Sequence, residues 1–319
     1  MYSDDGYKAL DGGAGLVRRR DRGVLSVKGA DRATWLQGLV TNDVLALAPG
    51  AACYAAYLTP QGRMITDLRV CALQDRLLLD VPDPVAAPLR DRLDGLLFAE
   101  DVHVEDLSGL VGLIELHGPA APAVIGRALL DASQPGAPSV VRDDVYGRPG
   151  YAIHAQTAHL DEVAGRLVAA GAVEASLETL DVLRIEHGVP EFGIDMDEET
   201  IPLEAGIEDR AISFTKGCYV GQELIVRVTT RGGGKVARRL VGLAFSGDDA
   251  PVPGDPLVAG DRRIGEVTSV AWSRRLGYTI ALGYVHRDFV VPGTEVTVRS
   301  FDRKLPARVA GLPFSDRRQ

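Results

Sequence analysis

A short apolar run that halts on a glycine and hands over to a helix-forming stretch occurs twice in this chain. It reads Val24-Leu25-Ser26-Val27-Lys28-Gly29-Ala30 and then Leu113-Ile114-Glu115-Leu116-His117-Gly118-Pro119. Each copy is followed by the same succession of patterns. After the first, Asp31 is placed to cap a helix carrying Trp35, Leu36 and Leu39 on one side. Strand-like runs follow at Cys53 to Leu58, Met64 to Ala72 and Arg76 to Val81, broken by Thr59-Pro60-Gln61-Gly62 and Gln74-Asp75. A helix from Pro82 to Leu97 and a strand from Val102 to Leu107 close that copy. After the second come a helix from Ala121 to Leu130, strands at Ser139 to Tyr146 and Gly150 to His154, a helix from His159 to Ala170 and a strand at Ala172-Val173. Strand–helix–strand–strand–helix–strand, repeated, predicts two related α/β units with antiparallel sheets.

Leu177 to Glu186 has a further helical pattern, and an acidic, turn-rich stretch from Gly188 to Thr200 follows. Long ordered loops of that kind often carry function. Gly232-Gly233-Gly234 reads as a linker. Beyond it, Leu240 to Phe245, Pro256 to Val258, Ile264 to Trp272, Tyr278 to Val285 and Glu295 to Arg299 are short strand-like runs between turn residues, a small all-β barrel or sandwich. The expected class is α+β. Its divisions are 1–108 (first unit), 109–232 (second unit with the segment after it) and 233–319 (β-barrel).

At 319 residues the chain supports cores that need no disulfide staples. A net charge of -9 gives no basic field for nucleic acid or an anionic membrane, and no apolar run is long enough to span a bilayer. Cys53, Cys71 and Cys218 lie far apart and form no CxxC pair, which points to a reducing, cytoplasmic compartment. The polar first residues do not read as a signal or transit peptide.

Phosphate loops, nucleophile elbows, zinc-protease helices and dinucleotide fingerprints are absent. Chemistry concentrates instead in Lys216-Gly217-Cys218-Tyr219-Val220-Gly221-Gln222-Glu223. Gly217 permits a sharp turn, and Gly221-Gln222-Glu223 opens a helix with an acid in its first turn. Cys218 on that turn, beside the ammonium of Lys216, is in a setting that favours a thiolate; a half-buried structural cysteine is the other reading. Asp67 interrupts the apolar run Met64-Ile65-Thr66-Asp67-Leu68, so it is exposed or buried with a partner. Glu186, two residues after Arg184, offers a bidentate acceptor to an N–H edge or is a plain surface acid.

These segments together resemble a known family. Lys216 to Glu223 is similar to the signature of the YgfZ family, tetrahydrofolate-binding factors of iron–sulfur cluster assembly and repair. Leu36-Gln-Gly-Leu-Val-Thr-Asn-Asp43, Thr59 to Arg63, Arg184-Ile-Glu-His-Gly-Val-Pro190, Ile201 to Glu204, and Gly265 to Val285 resemble further segments, shared with the wider glycine-cleavage T-protein and aminomethyltransferase superfamily. The resemblance implies three domains, two ferredoxin-like units that interleave and a barrel, in a ring around a folate channel. It implies tetrahydrofolate as cofactor, with no tightly bound metal and iron–sulfur clients or assembly proteins as partners. Glu186 then holds the pterin edge with help from Arg184, Cys218 is the reactive thiol polarised by Lys216, and Gln222 and Glu223 order the turn. The T-protein's Gly-Gly-x-x-Asp-Asp-Leu pattern reads here Gly62-Arg-Met-Ile-Thr-Asp67-Leu68 and keeps one acid. The expected function is an iron–sulfur accessory factor. The alternative is a folate-dependent aminomethyltransferase or demethylase with Asp67 as its catalytic group.

Overall fold

The computed structural model describes residues 4–128, 137–231, 233–247 and 249–315. Leu129 and Leu130 of the helix expected from Ala121 to Leu130, and Gly232 of the linker, lie outside them. The chain forms two compact units built from interleaved segments: 1–59, 65–180 and 210–220 in one, 60–64, 181–209 and 221–319 in the other.

The first unit contains α1 (Asp4–Gly12), β1 (Gly15–Arg19), β2 (Arg22–Lys28), α2 (Arg32–Gln37), β3 (Ala52–Leu58), β4 (Met64–Ala72), β5 (Leu77–Pro82), α3 (Asp83–Asp94), β6 (His103–Asp106), β7 (Val111–His117), α4 (Ala121–Ala128), β8 (Ser139–Arg142), β9 (Gly150–Gln156), α5 (Leu160–Ala169) and β10 (Val173–Ala175). Its two five-stranded sheets run β3-β4-β5-β2-β6 and β10-β1-β7-β9-β8. In both, the four strands of the repeat stand fourth, first, third, second. The first sheet adds β3 at an edge, and the second admits β1 between its first and fourth strands. β1 pairs antiparallel with β7, Leu16 opposite Leu116, and parallel with β10, Leu16 opposite Glu174. The N-terminal segment therefore completes the second sheet.

Alternation along the strands sorts the side chains (period two,). Leu25, Val27, Leu68, Val70 and Leu79 pack with Leu36 of α2 and Leu89 and Leu93 of α3. Leu16, Ile114, Leu116 and Ile153 pack with Val124 of α4 and Val163 and Leu167 of α5. Each such buried leucine stabilises by about 1.5–3 kcal/mol. The opposite faces meet each other: Val24, Cys71 and Leu78 of the first sheet touch Val141 and Val111 of the second. Polar residues of β4, β5, β7 and β9 also fall on these facing surfaces.

The second unit holds α6 (Leu177–His187, whose first turn belongs to the other unit), α7 (Pro202–Ala205), α8 (Glu208–Ala211, shared likewise), α9 (Gln222–Val226), β11 (Arg238–Phe245), β12 (Pro256–Ala259), β13 (Arg262–Ser273), β14 (Tyr278–His286), β15 (Glu295–Ser300) and β16 (Arg303–Ala310). The six strands close into a barrel in the order β11-β14-β13-β12-β15-β16, which leaves no free edge. Leu243, Leu257, Val267, Ala281, Val285 and Val298 fill it. At Gly265 a Cβ would stand 1.7 Å from the Tyr284 carbonyl oxygen, so only glycine permits the β13–β14 contact beside the bulge at Val267/Ser269.

Several expectations shift. α1, β1 and β16 were not anticipated. α3 stops at Asp94 and β8 at Arg142. Asp31 makes no side-chain cap; its Oδ2 accepts from the Asp101 amide instead. In the cysteine segment the left-handed residue is Gly221 (φ 82), and Gly217 takes no such conformation. No helix of the described residues is long and apolar enough to cross a membrane.

Candidate functional site

In the first unit, β4 directs Asp67 and Arg69 away from the helix-covered core. Asp67 is 4 % exposed. The Tyr54 hydroxyl donates to its Oδ2 at 2.9 Å. Its Oδ1 has no hydrogen-bond partner among the described residues, and the nearest cation, Arg22, stands 3.9 Å away. Burial, and then the neighbouring Asp67 charge, push the Tyr54 phenol well above its ordinary value, so it stays a donor. The Arg210 guanidinium stacks on the Tyr54 ring at 4.9 Å. Asn42 fixes both backbones, donating to the carbonyls of Tyr54 and Arg210. A carboxylate held through one oxygen, with the other buried and unbonded, is an acceptor waiting for an N–H or O–H.

Beside it lies an ionic belt joining the sheets. Arg69 reaches Asp80 (3.2 Å), Glu115 (2.9 Å) and Asp143 (2.6 Å). Arg19 and His117 also meet Glu115, and His154 donates to Asp80 at 2.7 Å. Burial works against the Asp80 charge, but His154 and Arg69 outweigh it and hold the carboxyl below its usual range. Glu115 is driven well below its own, because Arg19 and Arg69 outweigh burial. Cys71, Asp80 and His154 offer ligand atoms within 4.8 Å of one another. Arg69 and His154 already pair with the Asp80 carboxylate there, and burial keeps the Cys71 thiol protonated, well above its ordinary value. The trio reads as part of the belt.

Lys216 donates to the carbonyls of Gln37 (2.5 Å), Val40 (2.7 Å) and Asn42 (2.9 Å), and its ammonium lies 5.2 Å from the Tyr219 ring. Burial draws it down to about 8. It clamps the turn after α2. Cys218 itself is exposed.

In the second unit, Glu186 near the end of α6 is fully buried. The Ser273 hydroxyl donates to its Oε1 at 2.5 Å and accepts from the Leu276 amide. Arg275 Nε stands 3.5 Å from Oε2. Arg184, two residues earlier, is locked in the fold: it binds Asp195 (2.6 Å), Asp181 (2.6 Å) and the Ser269 hydroxyl (2.9 Å). Burial opposes its charge, yet Asp195 and Asp181 raise its value above the ordinary one. Gln222 and Glu223 begin α9 and line a shallow depression with Val226, Arg227 and Thr230. Sequence reasoning missed Tyr54, Arg22, Arg210, Ser273 and Arg275. The one available signal was Tyr54, a large polar-tipped ring alternating with small residues in Ala51-Ala52-Cys53-Tyr54-Ala55-Ala56.

Fold and side chains together define an α+β protein of two split-βαβ sheets and a six-stranded barrel, whose chemistry-bearing groups are buried carboxylates. Residues 3–141 match the GCVT N-terminal domain, and residues 238–316 match the glycine cleavage T-protein C-terminal barrel domain. The aminomethyltransferase of Rubrobacter xylanophilus is 32 % identical, over 98 % of this chain and 86 % of its own length. That of Thermosynechococcus vestitus is also 32 % identical, over 97 % and 86 %. The crystal structure of the glycine cleavage system aminomethyltransferase T from Bartonella henselae shares the fold, with a TM-score of 0.85 at 23 % identity over 98 % of this chain and 90 % of that one. The chain belongs to the glycine-cleavage T-protein, or aminomethyltransferase, family.

This corrects the expected function. The relatives are aminomethyltransferases, so the iron–sulfur assembly role, its YgfZ signature and its iron–sulfur clients do not stand. Aminomethyltransferases of this family use tetrahydrofolate, the cofactor that the resemblance implied. The residues present fit such a ligand. The unbonded Oδ1 of Asp67 is an acceptor, and a reduced pterin presents N–H donors.

Proposed function

We propose that this protein is a folate-dependent aminomethyltransferase. The observation that carries the reading is Asp67: buried, held through one oxygen by a permanently protonated phenol, and left with one oxygen unbonded. A general base or proton holder needs that arrangement, a fixed carboxylate with its reacting oxygen unoccupied. Tetrahydrofolate, when bound, supplies the nitrogen that accepts the one-carbon unit. Asp67 Oδ1 would accept an N–H hydrogen bond from that ligand and hold a proton at that oxygen. Tyr54 and Arg22 keep the carboxylate aimed and its charge compensated, and the surrounding sheets keep water away from it.

In this proposal Glu186 receives the N–H edge of the pterin at its Oε2, as a carboxylate oxygen accepts N–H donors. Arg184 stiffens the segment that carries Glu186. Gln222 and Glu223 shape the start of α9, and Lys216 fixes the turn after α2. Cys218 takes no part in the transfer. The three-part division at 1–108, 109–232 and 233–319 is proposed as the arrangement of the family's domains. A cytoplasmic setting follows from three cysteines that form no disulfide. The test supplies an aminomethyl donor to the purified protein and measures ammonia release with and without tetrahydrofolate. Release that requires tetrahydrofolate and yields methylene-tetrahydrofolate is expected. A protein that binds tetrahydrofolate but releases no ammonia from any such donor contradicts the reading.

A further inference from the structure

Both carboxylate oxygens of Glu186 are already engaged. Ser273 fixes Oε1 and is itself fixed by the Leu276 amide, so that oxygen belongs to the fold. The other oxygen faces Arg275, at an Nε distance of 3.5 Å. At that distance the two form an ion pair. The Arg275 side chain is 24 % exposed, whereas Glu186 is fully buried, so the arginine can withdraw toward solvent and the glutamate cannot.

Arg275 has a second attachment. Its Nη2 donates to the Phe314 carbonyl at 3.1 Å, and the Phe314 amide donates to the Glu186 carbonyl at 2.8 Å. Phe314 is 5 % exposed and packs over Gly242, while Leu312 packs over Gly188. The chain from Leu312 to Phe314 is thus strapped across the end of α6, with Arg275 as one of its ties.

A guanidinium and the 2-amino-4-oxo edge of a pterin present the same thing to a carboxylate, neighbouring N–H donors fanned from one N–C–N unit. Both cannot occupy Oε2 at once. We propose that Arg275 is a built-in competitor. It neutralises Glu186 in the ligand-free protein, a pterin-type amidine edge displaces it, and its departure loosens the strap at Phe314. This rests on the reading of Glu186 given above and adds the residue that sets the affinity. A buried carboxylate stripped of its cation is strongly unfavourable, so the arginine keeps the empty protein stable and lowers its affinity for ligand.

The experiment measures tetrahydrofolate affinity anaerobically by calorimetry. It compares wild type, Arg275→Ala, Arg275→Gln, Glu186→Gln and Glu186→Gln/Arg275→Ala, with melting curves confirming that each folds. Arg275→Ala and Arg275→Gln are expected to bind roughly fivefold more tightly, the scale of releasing one partly exposed ion pair. Glu186→Gln binds more weakly, and in that background removing Arg275 changes nothing. Hydrogen exchange supplies an independent readout: tetrahydrofolate speeds exchange at residues 312–315 of wild type and not of Arg275→Ala. If Glu186→Gln weakens binding while both Arg275 variants bind as wild type or more weakly, the competitor is refuted and the Glu186 reading survives. If Glu186→Gln binds as wild type, both fall together.

Discussion

Arg69 is the residue on which the two sheets of the first unit most depend, and Arg69→Met tests that dependence. The substitution keeps the aliphatic stem and removes the cation shared by Asp80, Glu115 and Asp143. Glu115 keeps Arg19 and His117, and Asp80 keeps His154, so of the three carboxylates these two are not stranded entirely, while the less buried Asp143 loses its pair. Breaking a buried pair by removing one partner destabilises by about 3–5 kcal/mol, and these remaining partners place the effect near the lower end, about 3 kcal/mol. At roughly 2–4 °C per kcal/mol, that lowers the melting temperature by about 6–12 °C near neutral pH. The pH dependence is the sharper readout. Asp80 and Glu115 are held below their ordinary values of 3.8 and 4.5. Their contribution is therefore fully present above about pH 4.5 and is lost as pH falls through the lowered folded-state values. Arg69→Met relaxes those values upward, so the gap between variant and wild type is wide at pH 7 and narrows below pH 4. Scanning calorimetry from pH 3.5 to 7.5 reads both quantities. A shift under 2 °C at pH 7, or a gap that does not change with pH, refutes the reasoning.

Other consequences follow from single contacts. Lys216→Met leaves the Gln37, Val40 and Asn42 carbonyls without their donor and is expected to destabilise the first unit by about 2–3 kcal/mol in urea unfolding. Because Lys216 titrates near 8 folded against 10.5 unfolded, its own contribution to stability rises with pH across that window, and the variant loses this slope. Gly265→Ala drives a methyl against the Tyr284 carbonyl and is expected to cost at least about 2–3 kcal/mol by the same assay, well beyond an ordinary strand glycine. Tyr54→Phe removes the phenol that aims Asp67. Turnover is expected to fall about tenfold or more in kcat with little change in KM, and to change no further in an Asp67→Asn background.

Much of this architecture can be read along the chain because period-two alternation survives in β2, β4 and β7. Leu25 and Val27, or Ile114 and Leu116, advertise one covered face, and the residues between them turn to the opposite one. What escapes is anything that depends on a distant partner. β1 looks like the start of an arginine cluster, since Arg18 and Arg19 follow only two large apolar residues, Leu16 and Val17, and its place between β7 and β10 is a tertiary fact. β16 hides behind its charges and Pro306, which local rules read as breaking a strand. Asp67 is visible as an acid in an apolar run, but its significance comes from Tyr54, which lies opposite only once β3 and β4 pair. Lys216 is legible only as a neighbour of Cys218 in sequence, while the carbonyls of the turn after α2 that its ammonium binds come from a distant segment.

The account turns on a carboxylate, not a thiol, performing the transfer. The direct measurement is kcat/KM for tetrahydrofolate-dependent release of ammonia from an aminomethyl donor, in wild type, Asp67→Asn and Cys218→Ala side by side. The carboxylate account predicts a loss of about 100-fold or more for Asp67→Asn and wild-type turnover for Cys218→Ala. Turnover that survives Asp67→Asn and disappears with Cys218→Ala contradicts it.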